Sequence, residues 1–373
     1  MNDSKPNPIY FSGLNGIRAM AAIGVVISHT TLALPEFGLD AFLFGAFNDG
    51  KPKGLLLAGF GVSMFFVLSG FLITYLLLKE KEAQEIDIKK FYLRRILRIW
   101  PLYYIYLALC LIFMVFSHQS IDTSALFFYL FYAANVPFIL GNGIGLVAHY
   151  WSLGVEEQFY MFWPWFIKKV KDSWFIPITL AAIVFLVLAK LALHVLTPNS
   201  ILESAIHITR FHCMMIGALG AMLYYNKNNW FLLVFDNKIT QLFAWIVILL
   251  VICNKYHFAS IIDNEIISVV TLVIIIGQIN KTNRLVNLEN NLCDFLGKIS
   301  YGIYVIHPLI IALLVKFLPT IQLPTVLKYL FIYGLVLCLT IVFSFLSYKY
   351  IESYFLKLKH KFTVVRSSAY KNG

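Results

Sequence analysis

The chain has 373 residues, 60% of them hydrophobic and only 13% charged, with a mean hydropathy of +0.77. A soluble domain of this length needs far more polar surface, so the composition excludes one and predicts an all-α polytopic membrane protein. The formal net charge of +11 raises nucleic acid as a partner, but the placement of the charges argues against it.

Residues 1–13 form a short polar tail, and no cleavage-like small-residue site follows the first apolar run, so the first helix is expected to be an uncleaved anchor. Apolar runs long enough to span a bilayer lie at 14–34, 55–78, 100–117, 147–167, 174–196, 206–225, 239–254, 259–279, 299–317 and 326–348, predicting a bundle of about ten helices. The run 124–140 is also apolar, but Asn135, Pro137 and the glycine-rich 141–145 make it read as an interfacial or re-entrant segment. No internal repeat or low-complexity tract interrupts the series. A membrane domain at 14–350 and a basic tail at 351–373 are expected, with no appended soluble domain. Cys110, Cys213, Cys253, Cys293 and Cys338 stand singly, so neither a disulfide framework nor a metal cluster is expected.

Lys and Arg alternate with the runs. Lys79, Lys81, Lys89, Lys90, Arg94, Arg95 and Arg98 fall between the second and third. Lys168, Lys169 and Lys171 follow the fourth, Lys227 and Lys238 the sixth, and Lys281, Arg284 and Lys298 the eighth. The tail adds Lys357, Lys359, Lys361, Arg366 and Lys371. The alternate loops hold Lys51, Lys53 and Lys255, with Lys316 and Lys328 at helix ends. The positive-inside rule puts both termini and the basic loops in the cytoplasm of a multi-pass protein of the cell inner (plasma) membrane. Most of the charge is therefore topology, and the expected surroundings are a lipid bilayer with no nucleic acid.

Five constellations carry possible chemistry. Arg18 and His29 are eleven residues apart in the first run; at about 100° per residue they share a face, roughly 16 Å apart along the axis. An ionisable side chain in a bilayer costs from about 2.5 kcal/mol upward and marks a candidate site, although Arg18 snorkelling to the interface and His29 bonding a neighbouring helix would be the structural alternative. Arg94, Arg95 and Arg98 precede Trp100, Tyr103 and Tyr104 at the water interface, a cluster suited to phosphates or to anionic headgroups. In the fourth run Trp151, Ser152, Glu156, Glu157 and Tyr160 lie together, with Ser152, Glu156 and Tyr160 on one stripe; Glu156 is placed to meet His29 and orient its imidazole, or else to pair with Arg210. Ser300, Tyr304 and His307 share a face in the ninth run, where a His before Pro also serves packing or a kink. Ser63, Ser69 and Gly70 in the second run predict close helix contact.

In order, the stretches LNGIRAMAAIGVVISH, FFVLSGFLI, RRILRIWPLYY, HYWSLGVEEQFY and SYGIYVIHP resemble the membrane acyltransferase-3 family, integral membrane O-acyltransferases of surface polysaccharides, lipopolysaccharide and some small molecules. The resemblance covers nearly the whole membrane region. It implies an O-acetyltransferase that moves an acetyl (acyl) group from cytoplasmic acetyl-CoA to a hydroxyl of a surface or lipid-linked glycan, without a permanently bound cofactor. It implies that Arg18 and His29 are the essential pair and that Arg95 and Arg98 belong to the acyl-CoA side. Where relatives often read Arg-x-Asp before a small-residue helix, this chain has Arg210-Phe211-His212, so no role carries over to the Asp position. The expected chemistry has His29 as general base oriented by Glu156, or as an acyl carrier, with Arg94, Arg95 and Arg98 on the donor phosphates. Tyr304, Ser152 and His307 are candidate oxyanion donors, and Ser69, Trp151, Glu157 and Tyr160 are supporting residues. The competing class is a proton-coupled transporter of a glycolipid or small molecule, disfavoured by the missing repeat and the one-sided basic cluster.

Overall fold

The computed structural model describes residues 9–43, 45–46, 50, 52–318, 322–363 and 367–368. Lys51, Arg366 and Lys371, with parts of both terminal tails, lie outside the described residues. The helices in chain order are α1 (Leu14–Ala33), α2 (Leu56–Ala83), α3 (Ile88–Phe116), α4 (Thr123–Leu130), α5 (Asn135–Ile139), α6 (Tyr150–Lys169), α7 (Phe175–Leu196) and α8 (Ile201–Thr209). They continue as α9 (Phe211–Tyr225), α10 (Asn229–Phe235), α11 (Lys238–Ile252), α12 (Asp263–Asn280), α13 (Asn291–Lys298), α14 (Ser300–Phe317), α15 (Thr325–Ser347) and α16 (Ser353–Lys359). A π turn at Tyr348–Glu352 joins the last two. Two short strands, β1 (Ile9–Tyr10) and β2 (Ser367–Ser368), pair in parallel and bring the two ends of the chain together.

The chain is an all-α polytopic membrane protein. Among the described residues eight helices are long and apolar enough to cross a membrane, and the pair α10–α11, bent by 52°, makes a ninth. All ten expected runs are helical. The tenth, α6, matches α1 at 20 residues but carries Glu156, Glu157, Lys168 and Lys169, too much charge to qualify on apolarity. The third helix starts at Ile88 rather than near 100, capped by Asp87 accepting from the Lys90 amide at 3.0 Å, so the arginine cluster lies on the helix itself. The expected span at 206–225 is broken between α8 and α9 by Arg210, which sits at φ 45°.

The run 124–140 forms two short helices and does not span. Tyr103 OH donates to Tyr129 O at 2.6 Å and Tyr104 OH to Leu130 O at 2.8 Å. Tyr103 is 13 residues short of the end of α3, about 20 Å at 1.5 Å per residue, so the chain dips back into the bundle before α6 begins. Tyr150 OH in turn donates to Tyr103 O at 2.8 Å, which starts α6 at that depth rather than at the far surface.

Packing centres on α2, flanked by α1 and α9 at backbone contact. A Cβ on Gly70 would lie 1.9 Å from Met214 O, and one on Gly217 2.1 Å from Val67 O. These glycines let two helices touch where hydrocarbon gives no drive to associate. Outward faces stay apolar, as Val184, Phe185 and Leu188 on α7 and Phe243 and Leu249 on α11 show by their exposure. Gly70→Ala is expected to cost about 1–3 kcal/mol through overpacking. Thermal unfolding in detergent measures it, with Gly334→Ala, where no atom lies within 4 Å of the added Cβ, keeping the parent stability.

Candidate active site

One end of the bundle carries Arg94, Arg95, Arg98 and Lys298, and a cavity of about 710 Å³ opens there. Its lining holds six cationic side chains, Arg18, Arg94, Arg95, Arg98, Lys298 and Lys359, against three carboxylates, Glu80, Glu156 and Glu352. The helical periodicity of α1 and α3 aims the arginines inward, and α16 brings Lys359 across the mouth. Arg94 is committed: it pairs with Glu80 at 2.6 Å and donates to Phe362 O at 3.0 Å. Arg18 donates to Asn15 Oδ1 at 3.0 Å. The Arg95 guanidinium lies over the Tyr160 ring, 5.3 Å from its centre. Arg98 makes no hydrogen bond or ion pair with a described residue. A cavity with this surplus of positive charge, walled by hydrocarbon, is suited to a polyanion. At its mouth, burial together with Asp294 and Glu289 pushes Tyr10 up to about 12, so its hydroxyl remains a donor at neutral pH.

Glu156 belongs to this cavity. Ser69 Oγ donates to Glu156 Oε1 at 2.7 Å and is itself bonded to Tyr160 OH, which joins two of the expected supporting residues to an expected catalytic one. Ser69 therefore serves the site, whereas its neighbour Gly70 serves the helix contact. The expected meeting of Glu156 with His29 does not occur: the partner of His29 is His307. The cause is depth. Because residues 123–149 re-enter, α6 starts inside the bundle, and Glu156 lands beside the arginines. Nor does Arg210 pair with Glu156; it donates to Gly59 O at 2.9 Å and Ser63 Oγ at 3.2 Å, with its guanidinium over the Trp151 ring at 5.5 Å. Glu157 lines neither cavity, and its Oε1 is buried without a hydrogen-bond partner among the described residues.

A second pocket of about 250 Å³ lies beyond the first and is lined by His29, His149, Trp151, Phe138, Gly59 and Ser28, among others. Val62 and Tyr304 line both, so the two spaces are separated by one layer of side chains. Tyr304 OH donates to His149 O at 2.9 Å and is bonded to Ser152 Oγ, which pins this wall. His29 Nδ1 lies 2.7 Å from His307 Nε2, and His307 Nδ1 lies 3.1 Å from Ile303 O. A carbonyl only accepts, so His307 carries its hydrogen on Nδ1, its Nε2 accepts, and His29 donates from Nδ1. The chain of bonds leaves a lone pair on His29 Nε2, with no partner among the described residues. His307 is thus a hydrogen-bonding residue beside Pro308 rather than a packing residue alone.

Arg18 and His29 do share a helix face, but they open on different cavities, Arg18 on the basic one and His29 on the histidine pocket. Three features escaped sequence reasoning. His149 heads the motif that holds Glu156 and was not singled out. Lys359 and Glu352 reach the cavity from the C-terminal tail, which spacing alone could not place. Lys190, in the middle of an apolar run, signalled an intramembrane charge; it pairs with Glu265 at 2.7 Å, and His212 Nε2 stands 2.8 Å from the same oxygen.

The helical membrane bundle thus holds a cationic cavity and a histidine pocket side by side. The chain matches the acyltransferase domain of the acyltransferase-3 family over residues 11–349 and belongs to that family. It is 27% identical to the O-acetyltransferase OatA of Staphylococcus aureus over 374 residues, 93% of this chain and 57% of the relative. It is 35% identical to the peptidoglycan O-acetyltransferase OatA of Listeria monocytogenes over 171 residues, 42% of this chain and 24% of the relative. The chain thus spans under two thirds of the curated relatives it matches. No solved structure matches it.

Glu265→Gln would leave Lys190, 1% exposed, without its counter-charge. The expected loss is about 3–5 kcal/mol, read as a lower unfolding midpoint in detergent, and the paired change Lys190→Met with Glu265→Leu is expected to recover most of it.

Proposed function

We propose that the protein moves an acetyl group from cytoplasmic acetyl-CoA to a hydroxyl of a cell-surface or lipid-linked glycan, across the inner (plasma) membrane. The observation that carries this reading is the pair of cavities whose linings share Val62 and Tyr304. The cationic one fits the diphosphate and 3′-phosphate of coenzyme A: Arg98 is uncommitted, Arg95 and Arg18 flank it, and Arg94 is fixed by Glu80. By the positive-inside rule this is the cytoplasmic end, where acetyl-CoA is found. The pantetheine arm runs along Arg18 and past the Ser69–Glu156–Tyr160 chain, presenting the thioester at the Tyr304 wall. Tyr304 and Ser152 line that wall, but their hydroxyl hydrogens are taken, Tyr304 OH donating to His149 O and Ser152 Oγ to Tyr304 OH, so neither is free for the thioester oxygen.

The acceptor enters the histidine pocket from the other side. His29 Nε2 is the basic nitrogen there, its tautomer fixed through His307 by the Ile303 carbonyl. It serves the transfer either by taking the proton of the hydroxyl or by taking the acyl group itself. Glu156 acts within the donor cavity, holding Ser69 and Tyr160 among the arginines. The glycan acceptor follows from the named activity of the Listeria relative, a peptidoglycan O-acetyltransferase.

Release of coenzyme A thiol by purified protein in detergent, supplied with acetyl-CoA and glycolipid extracted from the host, tests the reading. His29→Ala is expected to lower the rate by about 10²–10⁴-fold. Arg98→Ala is expected to raise KM for acetyl-CoA about 10- to 100-fold with kcat little changed, the worth of one or two charged hydrogen bonds. Folded protein that releases no thiol with any extract would instead support a transporter.

A further inference from the structure

The mechanism so far leaves His149 unused. It is 5% exposed, sits at the head of α6, and lines the same pocket as His29. Its Nε2 lies 3.2 Å from Val305 O, and since a carbonyl only accepts, the hydrogen is on Nε2. Nδ1 therefore carries a lone pair, and it has no partner among the described residues. The backbone around it is held firmly, its own carbonyl accepting from Tyr304 OH at 2.9 Å. Its ring stands 5.5 Å from that of His307, which stands 4.9 Å from that of His29. One small pocket thus presents two basic nitrogens with opposite tautomers, His29 Nε2 and His149 Nδ1. A direct transfer to a hydroxyl needs only one.

We propose that the two nitrogens divide a two-step transfer: His29 Nε2 takes the acetyl group, and His149 Nδ1 is the general base that activates the acceptor hydroxyl. This rests on the acetyl-CoA reading above. In the first step the His29 Nε2 lone pair attacks the thioester carbonyl, the C–S bond breaks, and the thiolate leaves towards the arginine cavity. The acetyl-imidazolium keeps its Nδ1 hydrogen, shared with His307 Nε2. In the second step the acceptor O–H gives its proton to His149 Nδ1 while its oxygen attacks the acetyl carbon and the C–N bond breaks. His29 returns to its starting tautomer, and the proton held by His149 leaves to balance the thiolate. His307 is a positioning residue in both steps, and the acetyl group alone passes the Tyr304 wall.

Water entering the pocket is a hydroxyl too, and it supplies the probe. Purified full-length protein is mixed with radiolabelled acetyl-CoA without glycan, acid-quenched, and followed for protein-bound label. The unmodified protein is expected to take up label and lose it to water, more slowly in D2O. His149→Gln, and His149→Asn as the second variant, are expected to take up label to the same extent and to lose it about 10²-fold more slowly or worse. Hydroxylamine, which needs no base, is expected to discharge both proteins equally fast, a split that a packing defect would not produce. His29→Ala takes up none. Loss of label at the parent rate in both His149 variants would overturn the role of His149. Absence of label in a parent protein that still releases thiol to host glycolipid would overturn the two-step scheme. Absence of both label and thiol release would instead overturn the acetyl-CoA reading.

Discussion

An ionisable group inside a bilayer has to be held by the protein, because hydrocarbon offers it nothing, and most of this structure follows from that constraint. Arg94 has Glu80, Lys190 has Glu265, Glu156 has Ser69, and His29 has His307. The first pair ties consecutive helices, and the other three tie helices distant in sequence, so the polar contacts specify which helices are neighbours. The glycines do the complementary task. Where Gly70 and Gly217 let α2 and α9 touch, no side chain fills the gap, and the polar residues beside them are brought within bonding distance.

Much of the fold was legible because a membrane span is a length of apolar sequence, and length is what a sequence shows best. The ten runs, the non-spanning segment near Asn135 and Pro137, and the arginine cluster all come from that reading. The partner of His29 was not legible. Periodicity gives the face of a helix but not its depth, and depth in α6 depends on how far residues 123–149 dip before the helix begins. Glu156 counted from the surface belongs with His29; counted from Tyr103, where α6 in fact starts, it belongs with Arg95 and Arg98. His307 on a shared face with Tyr304 was legible, and its bond to His29 was not, since nothing local relates α1 to α14.

The two cavities differ in size and chemistry. The larger is lined by six cationic side chains, and the smaller by His29, His149, Phe138, Trp151 and Tyr304 without a carboxylate, lysine or arginine among the described residues. Val62 and Tyr304 stand in the walls of both. Arg210 backs the histidine pocket, with its guanidinium on Trp151 and its hydrogen bonds on Gly59 and Ser63. The break between α8 and α9 falls at Arg210 itself, at φ 45°.

The parallel pairing of Ile9–Tyr10 with Ser367–Ser368 has a practical side. Ile9 and Tyr10 also line the large cavity, so β1 forms a selvedge along it with β2 paired at its side. A fluorophore attached on β1 would sit at that cavity, and one on each strand would form a short-range ruler between the two strands. The opposite face, where α3 ends at Phe116 and α15 begins at Thr325, is the better anchorage for immobilising the protein, since handles there leave the entrance untouched.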